Sequence, residues 1–553
     1  MNKKEIADKF YEIVELMEIL DKNQYKIRAY RNAARNISST DWDIRELYEK
    51  GNLKEIPGVG DSTASKIEQI IESGTCEYLE NLKEEIPDGL KEVKKVQGIG
   101  KKAVKKLYDE LGVESLDDLE EVAQSGTIRN LSGFGKKTEQ NILEGIEYLR
   151  KFSDRYRLDD AWNNAHSLAS FLSEKTNKLE IVGSLRRRKE TVGDIDILTT
   201  GDSDTIMEAT KNYEDVMKVL VSGDTKTSVM LDNGLQIDVR VIEPECWGAA
   251  IQYFTGSKEH NIKVRKRAQQ YGWTLNEYRM ADMETDEKIA GEKEREIYEK
   301  LGFEYIPPEL RDDRGEHEAA LNNNLPDLVK ESDIMGDIHI HSDYSDGNVD
   351  IPGIVSKAIE LDYEYVGIAD HQRPLGDMDE NDIINRNMLI DDLNDKHDIK
   401  ILKGVEVDIM KDGDIYKEDW LDYYDYVIGA VHQSITDENI VERLHNAFST
   451  NSIDVLAHPT GRVIGEREGN EVLQPKHINT FHEDYGIIFE INSLPQRLDL
   501  NDEMIMDTDV MYEIGSDAHG TTMMDFVRRF GVGIARRGWL EPSDIINTRP
   551  VVY

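Results

Sequence analysis

Histidines and carboxylates close a series of short apolar runs in the last third of this chain. The runs end Gly-Asp-Ile-His339-Ile-His341, Tyr-Val-Gly-Ile-Ala-Asp370-His371, Ile-Leu-Lys-Gly-Val-Glu406, Tyr-Val-Ile-Gly-Ala-Val-His432, Ile-Asp-Val-Leu-Ala-His458 and Tyr-Glu-Ile-Gly-Ser-Asp517-Ala-His519. An extended His-x-His places both imidazoles on one face as a metal clamp, and Asp346 follows closely enough to reach the same pocket. Mixed imidazole and carboxylate donors suit Mn²⁺, Zn²⁺ or Fe²⁺ rather than Ca²⁺. Several such ions lower the pKa of bound water and clamp a phosphate oxygen, which is the chemistry of phosphoester hydrolysis. Asp370 either orients His371 or serves as a turn residue, and Glu490 and Asn492 have the character of supporting residues. His397, His445, His477 and His482 stand outside these runs and are expected as surface or core histidines.

A second group lies upstream, in Ile181-Val-Gly183-Ser184-Leu-Arg186-Arg187-Arg188-Lys189-Glu-Thr-Val-Gly193-Asp194-Ile-Asp196-Ile-Leu198. Its alternation puts Asp194 and Asp196 on one face of a strand. Paired carboxylates repel unless a cation lies between them. Mg²⁺ suits that place, because it takes oxygen ligands and keeps positions open for substrate phosphates. Asp238, in Leu235-Gln-Ile-Asp238-Val-Arg240, adds a third carboxylate from another alternating strand. Three aspartates can hold two ions, which activate a 3′-hydroxyl and stabilise departing pyrophosphate. Gly183-Ser184 allows close backbone approach, and Arg187 offers a fixed positive fork for a triphosphate.

These residues need elements to position them. Strand-length apolar runs alternating with helix-like stretches predict βα units with parallel strands, whose chemistry gathers at the strand ends. Residues 1–85 read as helical, residues 151–330 as mixed, and Leu321-Asn-Asn-Asn-Leu-Pro326 as a linker before a domain that starts near Asp333. Three segments in the first 150 residues share the form apolar-x-Gly-apolar-Gly: Ile56 to Gly60, Val96 to Gly100 and Leu131 to Gly135. Two glycines permit a tight turn into a helix and expose backbone N–H groups to a phosphate.

The net charge of −43 is unevenly spread, since residues 331–553 hold 18 basic and 46 acidic residues. Such acidity repels nucleic acid in dilute buffer. At about 1 M salt the Debye length is ~3 Å and the repulsion is gone, so a salt-rich, halophilic cytoplasm is expected. Cys76 and Cys246 cannot make a disulfide framework and fit a reducing compartment. No apolar run is long enough to span a bilayer, and Met1-Asn-Lys-Lys-Glu lacks a signal-peptide core, which leads to the expectation of a soluble cytoplasmic protein.

The glycine-hinged segments resemble the helix-hairpin-helix module, which grips DNA backbone without reading sequence. That implies DNA contacts at Gly58, Gly60, Gly98, Gly100, Lys101, Gly133, Gly135 and Lys136. The Gly183-to-Asp238 pattern resembles the nucleotidyltransferase superfamily and, within it, the family X DNA polymerases. Tyr253-Phe254-Thr255-Gly256-Ser257 is similar to that family's nucleotide-pocket motif, although Lys258 replaces an aspartate of the animal enzymes. The resemblance implies Asp194, Asp196 and Asp238 as catalytic ligands of Mg²⁺ or Mn²⁺. It also implies nucleotide contacts from Gly183, Ser184, Arg187, Gly193, Tyr253, Phe254, Gly256, Asn261 and Arg265, the last two with minor-groove roles. Lys66 matches the Schiff-base lysine for removing 5′-deoxyribose phosphate, with Lys26, Tyr30 and Arg31 as phosphate-contacting neighbours.

The last domain resembles the PHP (polymerase and histidinol phosphatase) family, a distorted seven-stranded βα barrel with a trinuclear centre. Position by position, the implied ligands are His339, His341, Asp346, His371, Glu406, His432, His458, Asp517 and His519, with Glu406 bridging two metals of Mn²⁺, Zn²⁺ or Fe²⁺ type. The implied layout is a lyase-like helical domain (1–85), fingers (86–150), a nucleotidyltransferase palm (151–260), a thumb (261–318), a linker (319–332) and the PHP domain (333–553). The implied function is template-directed gap filling in DNA repair with a 3′–5′ exonuclease. Abasic-site cleavage and lyase activity are further expectations. Gapped or primer–template DNA and deoxynucleoside triphosphates are the expected partners of a monomer with no membrane partner. Two other accounts remain: a phosphoesterase whose polymerase half only tethers DNA, and a non-enzymatic DNA-binding scaffold.

Overall fold

Helical spacing in the N-terminal third becomes helices. The first, Lys3–Ile19, buries Phe10, Ile13 and Met17 along one stripe, as an amphipathic helix does. The computed structural model describes residues 3–550 apart from 21, 40–43, 86, 88, 97–98, 100, 153–154, 373–377, 416–417 and 436–437. The chain forms two compact units, residues 1–153 with Gly465–Arg467, and the remainder. The first unit has no strand among its described residues, and its core joins the first helix to Ile67, Ile70 and Leu107.

The second unit opens with a five-stranded sheet. Its strands are β1 (Lys178–Ile181), β2 (Asp194–Thr200), β3 (Val216–Ser222), β4 (Lys226–Leu231) and β5 (Gln236–Val241), in the order β1-β2-β5-β4-β3. Only β2 and β5 pair in parallel. Ile195 and Ile197 of β2 are fully buried, so Asp194 and Asp196, which alternate with them, face the other way. Helices Trp247–Thr255 and Lys258–Gln270 follow, then a small three-stranded sheet and helix Glu294–Lys300.

The last strands are β6 (Gly336–Asp337), β7 (Tyr365–Ile368), β8 (Lys400–Asp408), β9 (Tyr426–Ala430), β10 (Val455–Leu456), β11 (Ile488–Asn492) and β12 (Tyr512–Gly515). They pair in parallel in sequence order, and a parallel bridge between Ile340 and Ala518 links the two ends of the sheet. This is the distorted seven-stranded PHP-type barrel that the sequence predicts. Every residue of β7 and β12 is buried, which explains why β7 reads as a continuous apolar run, while β12 buries Glu513 among its apolar residues.

One hydrophobic cluster runs from the mixed sheet into the barrel, and buried charge is set within the join. Arg537, 1% exposed, meets Asp312 and Asp502 at 2.6 Å each and donates to the Arg187 carbonyl at 2.8 Å. Removing one partner of such a network strands the others without compensation. Arg537→Met is expected to destabilise this unit by about 3–5 kcal/mol, measured by chemical denaturation. A loss below about 1 kcal/mol would show that the network is solvated instead.

Candidate active sites

Parallel pairing sets Asp196 directly across from Asp238, so two carboxylates from different strands share one face. Asp194, two residues before Asp196, is exposed at the mouth. Burial, then the charges of Asp194 and Asp238, push the Asp196 carboxyl up to about 6. Asp238 goes the other way. Its burial is outweighed by hydrogen bonds from Lys226, Ser228 and Gln236, which hold it below the usual carboxylate range. The Lys226 ammonium lies 2.5 Å from Asp238 and the Arg240 guanidinium 3.5 Å away. Neither cation was anticipated. Their position depends on the pairing of Lys226 with Arg240 between β4 and β5, which residue types alone do not reveal.

Three carboxylates on two neighbouring strands are the donor type that could hold a divalent ion. Below pH 6 an ion must displace the Asp196 proton, since that group titrates near 6. Mn²⁺ affinity at this site is therefore expected to fall about tenfold from pH 7 to pH 5. The check is the difference in bound Mn²⁺, by electron paramagnetic resonance, between the wild type and Asp196→Asn. A pH-independent difference would contradict it.

Gly183 adopts a φ of +70° and starts the short helix Gly183–Arg186; a Cβ there would lie 3.1 Å from an Asp196 oxygen, so a larger residue would crowd the trio. Arg187 donates to the Thr255 carbonyl and pairs with Asp312 at 3.3 Å. Arg186, assigned no role from sequence, forks onto both Glu294 oxygens at 2.9 Å and reaches the Thr255 hydroxyl. Together they fasten the Tyr253-to-Ser257 motif beside the carboxylates. Asn261 is buried and held at both ends, by Gln252 and by the Tyr253 carbonyl at 2.7 Å each, while Arg265 is exposed on the same helix. Tyr253 and Phe254 meet edge to face, and Arg240 lies 4.6 Å over the Phe254 ring.

In the barrel the nine expected positions converge. Five imidazoles surround one carboxylate: His339, His341 and His371 lie 3.2–3.4 Å from one Glu406 oxygen, and His432 and His458 lie 3.4 Å from the other. Two donors on one metal stand about 3 Å or more apart, so these spacings suit ligands sharing ions across a bridging carboxylate. Asp517 adds an oxygen 3.4 Å from His341, and Asp346 one 3.2 Å from His519. The buried Nε2 of His339, both nitrogens of His341 and Oε1 of Glu406 have no hydrogen-bond partner among the described residues. Orphaned donors and acceptors are costly, and metal ligation resolves that cost.

The surroundings orient these ligands. Glu490 lies 2.6 Å from Nδ1 of His339, which leaves Nε2 facing Glu406. Asn492 donates to Asp517. Asp370 does something that neither sequence alternative described: fully buried, it accepts from Ser342 and Ser345 and pairs with Arg386 at 2.6 Å. It thereby anchors the loop that carries Asp346. Asp408, also unanticipated, lies 3.5 Å from His432, and against burial it and Glu406 push that imidazole up to about 9. Burial raises the Glu406 carboxyl, but His371 and His339 outweigh it and hold it well below its ordinary range. His458 and Asp517 have φ of +30° and +50°, strained values for residues with side chains.

In the helical unit, Gly58 (φ +77°) and Gly133 (φ +91°) make the turns that enter helices Asp61–Ser73 and Lys136–Phe152, with Gly60 and Gly135 at the helix starts. A Cβ on Gly60, Gly133 or Gly135 would meet nothing within 4 Å, so these backbones are open to approach. Gly98 and Gly100 lie outside the described residues, and helix Lys101–Leu111 follows them. Lys66 bonds Ser62 and lies 5.5 and 5.0 Å from the Tyr30 and Tyr78 rings. Arg31 is taken by Glu18, and Lys26 is exposed.

Comparison with known proteins places these features together. Family profiles match a helix-hairpin-helix domain at residues 1–76, a SAM-like helix-hairpin-helix tandem at 90–147, the DNA polymerase beta thumb at 250–312 and the PHP domain at 337–492. The DNA polymerase/3′-5′ exonuclease PolX of Bacillus subtilis is 35% identical, over 99% of this chain and 98% of its own. DNA polymerase lambda of the rat is 23% identical over 54% of this chain and 56% of its own. The repair DNA polymerase X of African swine fever virus is 26% identical over 24% of this chain and 79% of its own. The chain belongs to the family X DNA polymerases that carry a C-terminal PHP domain.

Proposed function

We propose that this polymerase fills gaps in damaged DNA with the Asp194–Asp196–Asp238 trio and degrades 3′ ends in its barrel. The observation that most supports this reading is the pair of donor sets, Asp196 and Asp238 in register on β2 and β5 with Asp194 two residues away, and five imidazoles about Glu406. The relative from Bacillus subtilis carries both activities in its name. Divalent ions held at these two sets would supply activation of the 3′-hydroxyl, neutralisation of pyrophosphate and a hydrolytic water. Mg²⁺ or Mn²⁺ suits the carboxylates, and Mn²⁺, Zn²⁺ or Fe²⁺ the imidazoles. The chain's own residues do the positioning. Lys226 and Gln236 keep Asp238 ionised, Arg186 and Arg187 hold the nucleotide-pocket motif, and Glu490 fixes the His339 tautomer. The glycine turns before Asp61–Ser73 and Lys136–Phe152 take DNA phosphates.

No helix among the described residues is long and apolar enough to cross a membrane. A salt-rich cytoplasm fits the −43 charge. The test follows a 5′-labelled gapped primer with and without nucleotides, in Mn²⁺, from dilute to molar KCl. Lengthening with nucleotides and shortening without them are expected, with shortening the more salt-dependent; an optimum in dilute buffer overturns the salt assignment. Lyase activity by Lys66 is the finest part of this reading. Borohydride is expected to trap the chain on an abasic-site oligonucleotide, and trapping by Lys66→Ala at the wild-type level would remove the assignment.

A further inference from the structure

Apart from both donor sets, a third group of side chains of metal-ligand type is packed between helices Lys258–Gln270 and Glu316–Leu321. His260 and Glu316 are fully buried and His317 is 3% exposed. His260 Nδ1 lies 2.8 Å from Oε1 of Glu316, and His317 Nδ1 lies 3.3 Å from that same oxygen. One donor atom from each residue falls within 4.8 Å of the other two, and the imidazole centroids are 4.5 Å apart. In a tetrahedral zinc site with bonds of about 2.0–2.2 Å, donor atoms stand about 3.3 Å from one another. The His260–Glu316 edge is about half an ångström shorter than that spacing, and the His317–Glu316 edge matches it.

Hydrogen bonding accounts for His260 and Glu316 but not for His317. His260 Nε2 meets the Tyr298 hydroxyl at 3.0 Å, and Glu316 accepts from the backbone N–H groups of Asp313 and Arg314 at 3.0 and 2.8 Å. Neither ring nitrogen of His317 has a hydrogen-bond partner among the described residues. A buried imidazole in that state is costly, and ligation of an ion removes the cost. The other contacts suit a ligand set. Tyr298 is the kind of outer partner that fixes a ligating histidine's ring, and the two backbone donors fix the carboxylate. Burial holds both imidazoles below their ordinary titration range, which favours the neutral form that binds metal.

Three cations stand nearby, and each has its own counter-ion; Arg187 is paired with Asp312 at 3.3 Å. Arg311 is paired with Glu294 at 2.6 Å, and Lys263 with Asp313 at 2.5 Å. Asp313 also lies 3.9 Å from His317 Nδ1, and Lys263 is 40% exposed and can swing into solvent. We propose that His260, Glu316 and His317 form a structural site for a borderline divalent ion, zinc by its donor set, with Asp313 as fourth ligand. Two imidazoles exclude a preference for Mg²⁺ or Ca²⁺. The ion would fasten the first turn of helix Lys258–Gln270, which carries Asn261 and Arg265, to the segment that leads into the linker.

The test uses crystals of the full chain, stripped with chelator and soaked in zinc chloride, with anomalous data collected on both sides of the zinc edge. The barrel cluster serves as the internal control for loading. An anomalous peak bounded by His260, Glu316 and His317 is expected beside the barrel peaks; barrel peaks without it overturn the proposal. In solution, His317→Leu and Glu316→Gln are each expected to retain one zinc equivalent fewer than the wild type after dialysis. Equal stoichiometry in folded variants also overturns it, and if either variant fails to fold, the wild-type anomalous map decides.

Discussion

Asp238→Asn is expected to lower primer extension by on the order of 10³-fold, equivalent to about 4 kcal/mol of transition-state stabilisation, while 3′-end degradation stays within about twofold. The amide keeps the shape of the side chain and can still accept from Gln236 at Oδ1. What it removes is the charge that Lys226 and Arg240 face and that would hold a divalent ion together with Asp196, its register partner. Loss of that neighbour also relieves Asp196, whose elevated pKa owes part of its rise to Asp238. Loss of the ion pair with Lys226 works against that relief, so a thermal midpoint measured beside the kinetics checks that the variant stays folded. Asp194→Asn is the matched control at an exposed position. Equal extension by wild type and both variants would favour the rival account, in which the polymerase half is only a DNA tether.

The donors were legible in the sequence because alternation and strand ends are local properties. Asp194 and Asp196 announce their shared face two residues apart, and His339 and His341 do the same. Glu490 was legible as a supporting residue for the same reason, since Phe-Glu490-Ile-Asn492 alternates toward the barrel interior. The groups that tune these donors were not legible. Lys226 reaches Asp238 only through the register of β4 on β5, and Arg386 reaches Asp370 only once its helix packs on the barrel strands. Arg537 meets Asp312 across 225 positions of chain. Register and long-range packing are cooperative outcomes of the whole fold, and no short window of sequence contains them. His317 shows the same limit in small: beside Glu316 in Gly-Glu-His-Glu it resembles the polar start of a helix, and only burial against His260 makes it chemically unusual.

Glu406→Gln is expected to lower 3′-end degradation by on the order of 10²- to 10³-fold, with primer extension retained. The residue is 1% exposed and its two oxygens face five imidazoles, so the substitution changes charge at the hub of the cluster while leaving its volume filled. A neutral amide cannot bridge two cations as a carboxylate does, and its N–H₂ would point at imidazole nitrogens that must be free to ligate. Metal content should fall together with activity, which separates loss of ions from loss of a later step. Glu490→Gln gives the graded comparison: its carboxylate meets His339 Nδ1, the His458 N–H and the Asn492 amide, and the change leaves every ligand in place. Its expected cost is about 10- to 100-fold in metal affinity, recoverable at higher Mn²⁺, whereas Glu406→Gln should not recover. If Glu406→Gln degraded 3′ ends at the wild-type rate, the hydrolytic water would not be carried at this cluster. If that shortening also required added pyrophosphate, it would belong to the carboxylate trio, by the reverse of extension.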